Sequence, residues 1–192
     1  MRVAFVFVIA AVITLAGCSS FAYRGSAVDP PVNLPELKLT DTQGKEFSLS
    51  SQRGRVVLLY FGYTHCPDAC PETLSHLAQA RRVLGQAASS LSIVFVTTDP
   101  ERDTAEVLKQ YIAHFDPAIV ALRGTPEELA AIYQGYHVAV IKEEPMAGQA
   151  GYQVGHSDLI YVIDKAGRWR ESFDSTSSAD DLANDVRHLI QE

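Results

Sequence analysis

Cys66 and Cys70 lie in the stretch 60-YFGYTHCPDACPETL-74 with three residues between them, and a proline directly follows each. The chain has three cysteines, and the remaining one, Cys18, is far upstream. Two neighbouring thiols suit two kinds of chemistry. As thiolates they grip a soft ion such as Cu(I), which is content with two or three ligands. As a redox pair they cycle between dithiol and disulfide. A structural disulfide or a pair of buried apolar cysteines is the plain alternative, but cysteines set between prolines at a helix mouth are poorly placed for packing alone.

The elements that must hold the pair are written in the hydrophobic pattern. The run 56-VVLLYFGY-63 is continuously apolar and β-rich, as a central strand covered on both faces requires. A helix follows, with Leu74, Leu77, Ala78, the stem of Arg81 and Leu84 at spacings of three and four. The thiols therefore fall between the C-terminal end of a buried strand and the start of a helix, where open α/β sheets place their ligand sites. Pro71 suits the first helical position, because its missing N–H would have no intrahelical partner there. Cys70 is then expected near the N-cap, facing free N–H groups and the positive end of the helix dipole, which favour thiolate. Pro67 stiffens the connection between the two.

Around this unit the sequence predicts a hairpin over residues 37–49 and a second buried strand over 91–98. A helix opening at Asp103 comes next, with Asp103 and Glu106 at capping-box spacing. A short strand around Ile119–Leu122, a helix over 126–136 and a strand over 137–143 follow. The segment 159-LIYVIDKAGRWRESF-173 reads as strand, Asp-Lys-Ala-Gly turn and strand, and a last helix runs from about Ser178 to Ile190. Strands alternating with helices, closed by an antiparallel hairpin, indicate an α/β sandwich.

The amino terminus carries a different message. After Arg2, an apolar run from Val3 to Leu15 ends in Leu15-Ala16-Gly17-Cys18. The run is short of the ~20 residues that span a bilayer and suits the core of an export signal. Its ending resembles the lipobox of bacterial lipoproteins, which implies that residues 1–17 are removed and Cys18 is acylated. Each buried CH₂ of such chains contributes about 0.8 kcal/mol to anchoring. The mature protein is then expected in the bacterial cell envelope, on the periplasmic or outer side of the cytoplasmic membrane, where disulfides can persist. Residues 18–35 mix small, polar and proline residues without periodicity and read as a tether, leaving residues 36–192 as one domain with a proper core. The formal charge is −7, with no cluster of Lys and Arg, which argues against a nucleic-acid partner.

The stretch around Cys66 and Cys70, together with 94-VFVTTDPERDT-104 and His156 in 155-GHSDLIYVID-164, resembles the Sco/SenC copper proteins. The resemblance runs from about Leu37 to Ile190, with its motifs in order. It implies a thioredoxin-like three-layer sandwich with an extra N-terminal β-hairpin. It also implies one copper ion per chain, Cu(I) or Cu(II), held by Cys66, Cys70 and His156. Proteins of this kind help assemble the dinuclear copper site of cytochrome c oxidase, as metallochaperones or as reductants of that site's cysteines. The copper-site subunit of the oxidase is thus the implied partner, with another periplasmic copper carrier as a further candidate.

The chemistry is consistent with that set. Two thiolates and a neutral imidazole leave a single negative charge around Cu(I) and none around Cu(II). Cu(II) prefers a tetragonal arrangement, and Asp99 is the best protein candidate for a fourth donor, equally readable as a residue that shapes the turn before Pro100. Of the six histidines, His76, His114 and His188 fall in helical segments and His137 starts a strand. His65 should point away from its neighbour Cys66. His156 ends the irregular stretch 142-KEEPMAGQAGYQVG-155 and begins a strand bordering the cysteine strand, so it can clamp and release a metal. Met146 in the same stretch is a transient soft donor or a gap filler. A plain thiol–disulfide oxidoreductase is the rival, although its usual CxxC spacing is absent and Asp158 stands where thioredoxins carry a cis-proline. The peroxiredoxin pattern is missing, since Tyr63 precedes Cys66 by three and Leu59 by seven. Zinc usually wants four ligands, one more than this set provides.

Overall fold

The two continuously apolar runs become the middle of a sheet. In the computed structural model, which describes residues 21–145 and 151–192, the chain order is β1 (Ser26–Asn33), β2 (Lys38–Asp41), β3 (Glu46–Ser48), β4 (Val56–Gly62), α1 (Ala69–Leu84), β5 (Leu91–Thr97), α2 (Ala105–Ala113), β6 (Val120–Arg123), α3 (Pro126–Gly135), β7 (Val140–Glu143), β8 (Gln153–His156), β9 (Ile160–Ile163), β10 (Arg168–Phe173) and α4 (Ala179–Gln191). Cys18, the segment 1–17 and Met146 lie outside the described residues.

Eight strands form one sheet in the order β1-β10-β9-β4-β5-β6-β2-β3, and β7 pairs with β8 in a separate two-stranded sheet. Strand β4 runs parallel to β5 and antiparallel to β9, and every residue of β4 and β5 is buried. Side chains alternate across the pleat. Val56, Leu58 and Tyr60 meet Leu74 and Leu77 of α1, Leu108 of α2 and Leu182 of α4 on one face. Val57, Leu59 and Phe61 meet Leu129 and Ile132 of α3 and the β2–β3 hairpin on the other. The result is the expected three-layer α/β sandwich. Burying one such leucine side chain contributes about 2 kcal/mol, so the two filled faces fix the end of β4 firmly.

Four expectations change. Ser26–Asn33, assigned to the tether, is an edge strand paired antiparallel with β10. It leaves no apolar period because most of its side chains are exposed, and its prolines are tolerated at an edge with an irregular register. The segment before it is also docked. The Phe21 ring stacks on His188 at 3.7 Å, and Arg170 donates to the Tyr23 hydroxyl at 2.6 Å. Second, α2 is capped by Thr104, whose side chain accepts from Val107 N, and not by Asp103. Third, the ends of the stretch 142–155 are ordered as the β7–β8 hairpin, with His156 opposite Val140. His137, expected to start a strand, sits in the turn before β7 at φ 56°.

Candidate metal centre

The chain leaves β4 through Gly62, and a side chain there would collide with the site. A Cβ on Gly62 would lie 3.0 Å from Cys70 Sγ and 2.9 Å from the Phe95 ring. The loop that follows is clamped by Asp103. Thr64 Oγ1 and Thr97 Oγ1 each donate to its carboxylate at 2.6 Å, and Thr64 N adds a bond at 3.2 Å. Asp103 is fully buried, and burial raises its pKa while those donors oppose the rise. It ties the cysteine loop to β5 and to the start of α2.

Helix α1 begins at Ala69 behind Asp68, so Cys70 is its second residue and Pro71 its third, not its first. This shift changes which sulfur meets the helix end. The amide of Cys70 donates to Cys66 Sγ at 3.3 Å, while Cys70 itself turns into the core with no exposure. Cys66 is half-buried. The Cys70 thiol beside it pulls the Cys66 pKa down to about 4; burial works against this, and His156 and the amides of Asp68 and Cys70 reinforce it. The same sharing, with burial added, pushes Cys70 up. The pair therefore holds one proton between two sulfurs, as closely set like acids must.

His156 ends β8 with Nε2 at 3.4 Å from Cys70 Sγ. Its Nδ1 lies 3.1 Å from the carbonyl of Ser157, which can only accept. Nδ1 therefore carries a proton, and Nε2 is the nitrogen turned to the sulfurs, where the neutral ring presents its lone pair, the arrangement that prepares an imidazole as a ligand. Burial lowers the His156 pKa, but the bonds to Cys66 and Ser157 outweigh it and the net shift is upward. The rings of Tyr60 and Tyr63 meet the imidazole edge-on at 6.1 and 5.9 Å. The ligand atoms of Cys66, Cys70 and His156 all lie within 4.8 Å of one another. Two sulfurs and one nitrogen, converging on a partly open rim, can hold a single soft ion.

A family model described as SCO1/SenC matches residues 29–191. The chain belongs to the SCO1/SenC family. It is 34% identical over 145 residues to an SCO2-like protein of Rickettsia prowazekii, an alignment covering 76% of this chain and 71% of that one. Copper-bound ScoI of Bradyrhizobium japonicum superposes with a TM-score of 0.75 at 34% identity, covering 82% of this chain and 99% of that one. The apo Sco1 of Thermus thermophilus superposes with a TM-score of 0.78 at 31% identity, covering 89% and 99%. These likenesses establish the thioredoxin-like fold of SCO1/SenC proteins.

Within this SCO1/SenC chain, Asp99 is not brought to the triad. Its carboxylate is paired with the Arg102 guanidinium and accepts the Tyr152 hydroxyl at 2.8 Å. It clusters with His65 and Asp103 instead. That second group is poorly suited to a cation, because Arg102 occupies Asp99 and two threonines occupy Asp103. His65 points to Thr64 Oγ1 at 3.0 Å, and none of His65, His76, His114, His137 and His188 joins the sulfurs. Asp158 accepts the hydroxyl of buried Tyr60 at 3.2 Å. The residues whose part in the site sequence reasoning missed are Asp103, Gly62 and Tyr152. The aspartate betrays itself only as a polar residue just after a buried strand, and the other two give no local signal.

Proposed function

We propose that the chain is a copper carrier of the cell envelope. Reduced Cys66 and Cys70 capture one copper ion, His156 Nε2 completes the site, and the ion passes on by stepwise ligand exchange. The recipient is the copper-site subunit of cytochrome c oxidase during assembly of its dinuclear centre, as the family resemblance implies. The observation that carries the reading is the convergence of two sulfurs with an imidazole whose Nε2 is already turned to them. That donor set favours Cu(I) and accommodates Cu(II). The copper-bound neighbours from Bradyrhizobium japonicum and Arabidopsis thaliana support copper as the cargo. Capture requires the last proton to leave the sulfur pair, so metal loading and disulfide formation exclude one another.

In this reading residues 1–17 are a signal, Cys18 bears the acyl anchor, and a short tether leads to the domain. The support is the Leu15-Ala16-Gly17-Cys18 ending. Among the described residues no helix is long and apolar enough to cross a membrane.

A second reading is favoured by one observation, the half-exposed Cys66 held as thiolate. Such a sulfur attacks a partner's disulfide to give a mixed disulfide. Cys70 then displaces the partner, leaving a Cys66–Cys70 disulfide here and a dithiol there, with two electrons passing to the partner. Mixing the copper-loaded protein with a reduced oxidase copper domain, and the metal-free dithiol protein with the oxidised domain, discriminates the two. Metal transfer from the loaded form is the expected result. Disulfide reduction by the metal-free form with no transfer from the loaded form would replace the carrier by the reductant. His156→Ala should weaken copper binding, more for Cu(II) than for Cu(I), with the fold intact. Unchanged affinity for both states would remove His156 from the site.

A further inference from the structure

The geometry points to Tyr152 as the positioning residue that sets where His156 stands over the sulfurs, by latching the β7–β8 hairpin to the loop after β5. This rests on the proposed ligand role of His156. The hairpin has no ladder to the main sheet, so side chains must decide its place. The Tyr63 hydroxyl holds Gln153 and Val154 N from beneath, and Tyr152 ties the hairpin to the loop after β5. Its hydroxyl donates to Asp99 at 2.8 Å, and its carbonyl accepts from Arg102 at 3.0 Å. Its ring is sandwiched between the Arg102 guanidinium at 3.7 Å and the Lys142 ammonium at 3.9 Å. Lys142 is in turn paired with Glu101 at 2.7 Å.

The latch reaches the imidazole through the strand. Tyr152, Val154 and His156 alternate along the backbone and face one side. Val154 is buried in the core between the other two. A tilt of the hairpin at Tyr152 therefore moves Nε2 relative to Cys66 and Cys70. Asp99 acquires a role here that its distance from the triad denies it as a ligand. It holds Arg102 and Tyr152 together, so the β5–α2 loop communicates with the metal rim without touching the ion. A partner that competes for the exposed Lys142 would loosen His156 first and the sulfurs last.

The test compares the full reduced chain with Tyr152→Phe, Tyr152→Leu, His156→Ala and the Tyr152→Leu/His156→Ala double variant. Two readouts are needed: the rate at which a Cu(I) chelator strips the loaded protein, and the thiolate-to-copper absorption of the Cu(II) form. Tyr152→Leu should speed release by about tenfold, the loss of one charged hydrogen bond and a cation–π sandwich. Its spectrum should shift toward that of His156→Ala. Tyr152→Phe, which keeps the ring, should fall between it and the parent. In the His156→Ala background the Tyr152 change should add nothing. Parent-like release and spectrum in both Tyr152 variants, with His156→Ala altered, would overturn the latch alone. An equal acceleration by Tyr152→Leu with and without His156 would also overturn it, since the effect would not run through the imidazole. A His156→Ala protein indistinguishable from the parent would overturn the ligand reading and the latch together.

Discussion

Two pairs of like acids are buried in this molecule, and only one of them is built to react. Cys66 and Cys70 share a proton at the carboxyl end of β4. Glu171 of β10 keeps its proton against Asp185 of α4 beneath the N-terminal segment, both with no exposure. Burial first, and then the Asp185 carboxyl beside it, push the Glu171 pKa to about 9. Asp185 accepts from the amides of Arg24 and Gly25 at 2.6 and 3.2 Å, which fastens the incoming chain to α4. The electrostatic device is the same in both places. At the thiols one partner is half-exposed, the donors are soft, and a third ligand stands ready on a hairpin outside the main sheet. At the carboxyls both side chains are closed to solvent, and among the described residues no third metal-ligating side chain joins them. A proton held against a like acid becomes exchangeable for a metal only where access and a further donor accompany it.

The comparison breaks most visibly at the sulfurs. Cys66→Ala or Cys70→Ala should abolish tight copper binding, measured by competition with a Cu(I) chelator, while either leaves the fold in place. The next largest effect is at the carboxyls and depends on pH. An acid whose folded pKa is raised from 4.5 to about 9 holds its proton more tightly in the folded state across that range. Stability from this group is therefore full at low pH and is lost as pH rises toward 9, at up to about 1.4 kcal/mol per pH unit. Denaturant unfolding at several pH values should show this fall, and Glu171→Gln should flatten it. A parent slope of zero would mean that Glu171 does not keep its proton in the folded state.

Gly62→Ala comes third. Its Cβ must displace Cys70 Sγ or the Phe95 ring, at a cost of about 1–3 kcal/mol, so both thermal stability and copper affinity should drop. The smallest expected effect is from Phe21→Ala. Loss of the stack on His188 should cost about 1 kcal/mol and leave copper release unchanged, because the two ends act independently.

Much of this was legible before any coordinates. The runs over β4 and β5 announce buried central strands, and the thiol spacing announces a soft-metal or redox rim between strand and helix. His156 came from the family resemblance rather than from its own surroundings, since a histidine in an irregular stretch looks like any other. Which sulfur meets the helix amides was misread. The start of α1 differs by two residues from the Pro71-based expectation, and that shift hands the Cys70 amide to Cys66. The spacing of Asp103 to Glu106 allows a cap, and the sequence pattern suggests one. The real bonds of Asp103, to Thr64 and Thr97, join segments distant in sequence or turned by a loop, and no local pattern encodes them. β1 hides for a related reason, because an exposed edge strand is held by its backbone ladder and need not alternate.

The stacking of Phe21 on His188 settles where the chain enters the domain. His188 lies in the last turn of α4, and Arg187 beside it donates to the carbonyl of Val83 near the end of α1. Entry is thus at the foot of α1, and the sulfurs are at its head, a helix of 16 residues away, or roughly 24 Å. With an acyl group on Cys18, the residues up to Phe21 add at most about 10 Å of slack. In the proposed lipid-anchored form the point of attachment and the two sulfurs therefore sit at opposite ends of one helix, so the length of α1 sets how far the metal site is held from its tether.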